Sequence, residues 1–173
     1  MRLRAIGKAS PAALVLAVLA MSGAMLAQAG GNKVLGPADL QKLFPATVYY
    51  CGQKAPAQLR NSGGVKFSDG HFALASLVDT GGYSTGVAAR YQGYLITEVP
   101  VKIEEERLPA GAYGFGFVEG GRFVVTDLGG AEVFTVRAAM DEAMKRPRPL
   151  QVAADPAGGF RLYVGRSYVH FSR

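Results

Sequence analysis

The chain has 173 residues, a net charge of +6, 23 glycines, 9 prolines, 2 histidines and 1 cysteine. That length suits one domain, which buries roughly two-thirds of its unfolded surface and needs no metal or cross-link to hold a core. A single cysteine excludes an intramolecular disulfide.

The N-terminus reads as an export leader. Arg2, Arg4 and Lys8 form a basic start with no acidic residue before Asp39. Pro11 to Leu26 is rich in Ala, Leu, Val and Met, and Ala27-Gln28-Ala29 has the small-x-small form of a signal-peptidase site. Ser22-Gly23 interrupts a run already short for a spanning helix, so residues 1–29 are expected to be cleaved and no membrane span to remain. Residues 30–173 then form one β-rich domain, periplasmic or extracellular. Three of the 19 basic residues leave with the leader, so 16 face 13 acidic ones, a net +3. Scattered in this way, that charge is no footprint for nucleic acid.

Within the domain, Gly36 to Pro45 predicts a short helix: Pro37 suits its first turn, Leu40, Leu43 and Phe44 share one face, and Pro45 ends it. Ala46 to Cys51 predicts a strand rich in β-formers. Cys51, at its end, reads as a small buried hydrophobe; the alternatives are an intermolecular bridge or a nucleophile served by His71 or His170. Residues 52–64, with Pro56, Asn61 and Gly63-Gly64, predict an irregular stretch. Phe67 to Asp79 predicts strand around a Ser68-Asp69-Gly70 turn, and Thr80 to Thr85 a loop. Tyr91 to Val99 is a further strand. Glu104-Glu105-Glu106 predicts a solvated hairpin end, since such a cluster cannot be buried unpaired and strand alternation stops the three from converging on one cation.

From Leu108 the chain reads L-P-A-G-A-Y-G-F-G-F. Pro109 presets a turn, Gly111 allows positive φ in it, and the strand begins at Tyr113. This L-P-A-G-x-Y opening, Leu108 to Tyr113, resembles small exported bacterial all-β proteins. The resemblance implies a strand after a turn and carries no active site. Tyr113, Phe115 and Phe117 fall on one face and Gly114 and Gly116 on the other, so the glycine face admits a close neighbour or eases sharp curvature. Turns at Glu119–Arg122 and Asp127–Gly130 make the next strands a meander. Val136, Ala139, Met140, Ala143 and Met144 recur at helical spacing and predict a helix over 136–146, stopped by Pro147 and Pro149. Strands return at 150–153, 160–164 and 168–171.

The sum is a mostly antiparallel barrel or sandwich of about seven to nine strands with two helices. An eight-stranded outer-membrane barrel is the alternative architecture, but the strands are short for it. Chemistry is sparse. No nucleophile elbow or metal-ligand spacing occurs, so no catalytic residue, metal or cofactor is assigned. Glu98, Asp127 and Glu132 are the carboxylates a paired-acid hydrolase could use, with no spacing that singles out a pair. Tyr94, Tyr113, Phe115 and Phe117 are the candidate ligand-binding residues, either plain core or the wall of an apolar pocket. The expected function is a non-catalytic exported binding or interaction module, its partner a small apolar ligand or an envelope protein. A self-associating structural envelope protein and a hydrolase remain as alternatives.

Overall fold

The structure, a computed structural model, describes residues 31–173; the leader expected at residues 1–29 lies outside them. In chain order the elements are β1 (Lys33–Leu35), α1 (Pro37–Leu43), β2 (Thr47–Tyr50), β3 (Gln53–Lys66), β4 (Phe72–Val78), α2 (Thr85–Ala88) and β5 (Gly93–Thr97). There follow β6 (Val101–Ile103), β7 (Glu106–Leu108), β8 (Gly111–Val118), β9 (Arg122–Thr126), β10 (Glu132–Arg137) and β11 (Ala139–Met140). The chain closes with β12 (Arg148–Ala154), β13 (Phe160–Gly165) and β14 (Ser167–Ser172).

These strands make two antiparallel sheets, a sandwich rather than a closed barrel. The larger runs β1-β3-β4-β5-β8-β9-β10, with β2 paired to the first half of β3. The smaller runs β12-β13-β14-β6-β7, with β11 sharing the same side of β14 as β6. The chain passes between sheets at β5–β6, β7–β8 and β10–β11.

Alternation along each strand fixes what faces what. Ala73, Ala75, Leu95, Phe115, Phe123 and Val125 of the large sheet meet Ile103, Leu108, Phe160, Leu162, Val169 and Phe171 of the small one. The packing leaves an apolar void of only about 20 Å³ between them, room for about one water molecule and no ligand. The large sheet's other face has a second, smaller core. There Leu40 and Phe44 from α1, Val48 and Tyr50 from β2, and Tyr91 pack on Leu74 and Tyr94. Burying Leu40 and Phe44 contributes roughly 1.5–3 kcal/mol each, the reason so short a helix holds its place. Asp39 completes its first turn by accepting from the Gly36 N–H at 3.1 Å.

Three expectations are corrected. The helix over 136–146 does not form. Val136 instead pairs with Phe123 in β10, the Ala138 N–H donates to Gly121 O at 2.8 Å, and Ala139 and Met140 pair with Tyr168 and Ser167. Met140 is 62% exposed, so the apolar spacing has no buried face to serve, and strand partners distant in sequence claim the backbone. Residues 52–64 are not irregular either: nearly all belong to β3, whose register shifts between Gln58 and Ser62. The shift absorbs Asn61, while Pro56 pairs with Thr47 of β2 and Gly63 and Gly64 pair with Ala75 and Leu74 of β4. Finally, fourteen strands are present among the described residues where about seven to nine are expected; ten remain when β1, β6, β7 and β11, each two or three residues long, are set aside.

Candidate functional site

The four aromatic candidates do not form one surface. Tyr113, Phe115 and Phe117 face the small sheet and Tyr94 faces α1, on opposite sides of the large sheet. Phe115 is 0% exposed, its ring 5.6 Å from that of Phe123. Tyr113 Oη donates to Pro109 O, and Tyr94 meets the edge of Phe44.

The glycine face of β8 is the more informative one. After α2, residues 89–92 cross directly over it. A methyl group at Gly116 would lie 2.5 Å from Arg90 O, and one at Gly114 2.5 Å from the Tyr50 ring. Of the two roles open to these glycines, close approach is the one seen. Gln92 locks the crossing: its Nε2 donates to Phe117 O at 2.9 Å, and its Oε1 accepts from the Phe117 N–H at 3.0 Å. Tyr91, fully buried, stacks on Tyr50 with ring centres 3.7 Å apart. Burial raises the Tyr91 phenol well above its ordinary pKa, helped by the neighbouring phenols. Its hydroxyl has no protein partner among the described residues.

This crossing builds a cleft on the outer face of β8, β9 and β10, with a volume of about 460 Å³. Ala89, Val118 and Val124 give it an apolar floor; Arg90, Glu132, Thr135, Glu119 and Arg122 give it a charged rim. Arg90 pairs with Glu132 across the opening, and Thr135 Oγ1 donates to Glu132 Oε1 at 2.7 Å. On the far side of Arg90 is a smaller hollow of about 230 Å³, walled by Tyr50, Cys51, Val87, Thr126 and Gly130. There Tyr50 Oη and Thr126 Oγ1 share a hydrogen bond of 2.8 Å. Cys51 is half-buried in the β2–β3 turn with φ 48°, its thiol against Gly130.

The remaining candidates occupy separate networks. His71 Nδ1 lies 2.9 Å from Asp69, which also binds Arg173. His170 Nε2 lies 2.7 Å from Gly158 O. Glu98 accepts from the Phe72 N–H at 2.9 Å, and Asp127 closes the β9–β10 turn by accepting from the Ala131 N–H at 2.9 Å. Only Glu132 of the three carboxylates lines the cleft. Among the described residues no three His, Cys, Asp or Glu side chains cluster as metal ligands do.

Sequence reading missed the cleft because a crossing segment covers it and a β-bulge sets its β10 wall. Glu132 pairs with Thr126, but Phe134 pairs with Val125, so β10 gains a residue. In the unbulged register Phe134 would stand opposite Val124 and point outward. The bulge turns Phe134 and Val136 into the core, and turns Thr135 and Arg137 onto the outer face. No local motif announces that shift. No protein-family profile matches the chain, and comparison with characterised proteins and with solved structures finds no significant likeness to either.

Proposed function

We propose that the chain is an exported, non-catalytic binding module that holds a small ligand on the outer face of β8–β10. The observation that carries this reading is the cleft itself. Its volume of about 460 Å³ lies within the roughly 300–1,000 Å³ usual for ligand sites, and an apolar floor with a few placed polar groups is their usual chemistry. The rim is held in place by the Arg90–Glu132 pair and the Gln92 clamp. Of the aromatics named from sequence, Tyr113, Phe115 and Phe117 support the sheet beneath it. Native mass spectrometry of the protein recovered gently from the exported fraction tests this reading. A reproducible excess mass that disappears in Val124→Trp, which fills the floor, supports it. An excess mass unchanged by that substitution places the ligand elsewhere and sinks it.

A second reading, a structural envelope protein that self-associates, is favoured by a different observation. β10 is the outermost strand of the large sheet, and Leu128, Val133 and Met140 expose large apolar side chains along β10 and its two ends. Sedimentation velocity decides it: a concentration-dependent dimer lost in Val133→Lys supports association through this edge, and a monomer at high concentration removes it.

A further inference from the structure

We propose that the ligand of this cleft carries an anionic group, a phosphate or carboxylate on an apolar body, bound between Arg122 on the cleft's rim and Arg137, its cross-strand neighbour just outside the lining; this rests on the cleft being a ligand site.

The bulged register sets Arg122 and Arg137 directly opposite each other on adjacent strands, both on the outer face. Like charges so placed repel, with Cβ atoms about 5 Å apart. Neither guanidinium has a carboxylate within salt-bridge distance among the described residues; Arg122 donates from Nε to Glu119 O at 3.3 Å, which leaves its two terminal nitrogens free. Elsewhere the fold neutralises such a pairing: Lys102 also stands opposite a cation, Arg107, but has Glu105 at 3.0 Å. Two unpaired guanidiniums in register each offer a planar fork of donors that matches the oxygens of a phosphate or carboxylate. Val118 and Val124, next to Arg122 on the cleft floor, would take the apolar body. Arg90 adds no free charge, since Glu132 occupies it, so the anion belongs at the Arg122 end.

The test is a backbone amide shift titration of the full chain with octyl phosphate, octanol and inorganic phosphate. Octyl phosphate is expected to shift Val118, Val124 and Thr135 and to bind at least about tenfold more tightly than octanol. Arg137→Glu, which gives Arg122 a cross-strand partner, is expected to weaken octyl phosphate at least tenfold while the melting temperature holds or rises. Arg137→Lys is expected to keep part of the affinity. Octanol binding in the cleft as tightly as octyl phosphate, or Arg137→Glu leaving the affinity unchanged, overturns the anion and leaves the cleft reading standing. If none of the three probes moves the cleft amides, both fall. A co-sedimentation arm with phosphatidylglycerol vesicles separates the sources: pelleting that Arg137→Glu abolishes assigns the anion to a lipid headgroup, whereas soluble protein that still binds octyl phosphate assigns it to a free amphiphile.

Discussion

Replacing Gly116 with alanine tests how the site is built. The added carbon would sit 2.5 Å from Arg90 O and 2.8 Å from Arg90 C, roughly 1 Å inside ordinary contact. Both are backbone atoms, so no rotamer change relieves the clash, and residues 89–92 must lift. They are held down by the Gln92 amide on Phe117 and by the Gln92 N–H to Phe115 O at 2.8 Å. Overpacking of this kind costs about 1–3 kcal/mol, and breaking one of those hydrogen bonds adds about 1 kcal/mol. In urea this corresponds to a midpoint lowered by roughly 1–2 M. Gly86→Ala is the control, because nothing lies within 4 Å of its Cβ; it should be neutral or stabilising by up to about 1 kcal/mol. A Gly116→Ala midpoint equal to that of the parent would refute the close-approach account of β8.

Other outcomes follow from the tyrosine cluster and the charged surface. Tyr91→Phe removes a buried hydroxyl that has no partner among the described residues and keeps the stack on Tyr50, so stability should rise by about 1–3 kcal/mol; a loss of stability would show that the hydroxyl is needed. Burial raises the folded Tyr91 pKa, so the unfolded chain loses that proton first. Stability is therefore intact below about pH 10 and falls as pH climbs from there toward the folded value, a slope that urea titrations from pH 8 to 11 should find shallower in Tyr91→Phe. Arg173, with His71, lowers the Asp69 carboxyl to about 2. Its contribution is present above about pH 4 and is lost as pH falls through the folded value. In Arg173→Ala the carboxyl titration followed by NMR should move up toward the ordinary value, and an unchanged midpoint would contradict the pairing.

Much of the fold could be read because local chemistry and tertiary structure agree in it. Pro37, Leu40, Phe44 and Pro45 bound a helix that forms where expected. The turns at Pro109-Ala110 and Gly120-Gly121 bracket β8, although Gly111, expected in the first turn, is already its first paired residue, opposite Thr97, and has no positive φ. The Glu104–Glu106 cluster lies at the β6–β7 hairpin, with Glu105 exposed in its turn. The failures come where partners distant in sequence decide. Val136, Ala139 and Met140 have helical spacing, yet Phe123, Tyr168 and Ser167 take their backbones. Pro56 and Asn61 read as breakers, yet β2 and β4 carry β3 past them with a register shift. The site belongs to this second kind. Arg122 and Arg137 are fifteen positions apart and share a face only because one residue is bulged out of β10.

The most direct test of the account is a shift map of the isotope-labelled protein against a small-molecule extract of the cells that produce it. The account predicts that saturable shifts cluster on Gly116 to Val124 and Glu132 to Arg137 and vanish in Arg137→Glu. Saturable shifts confined to the α1 side of the large sheet, or to the small sheet, would contradict it.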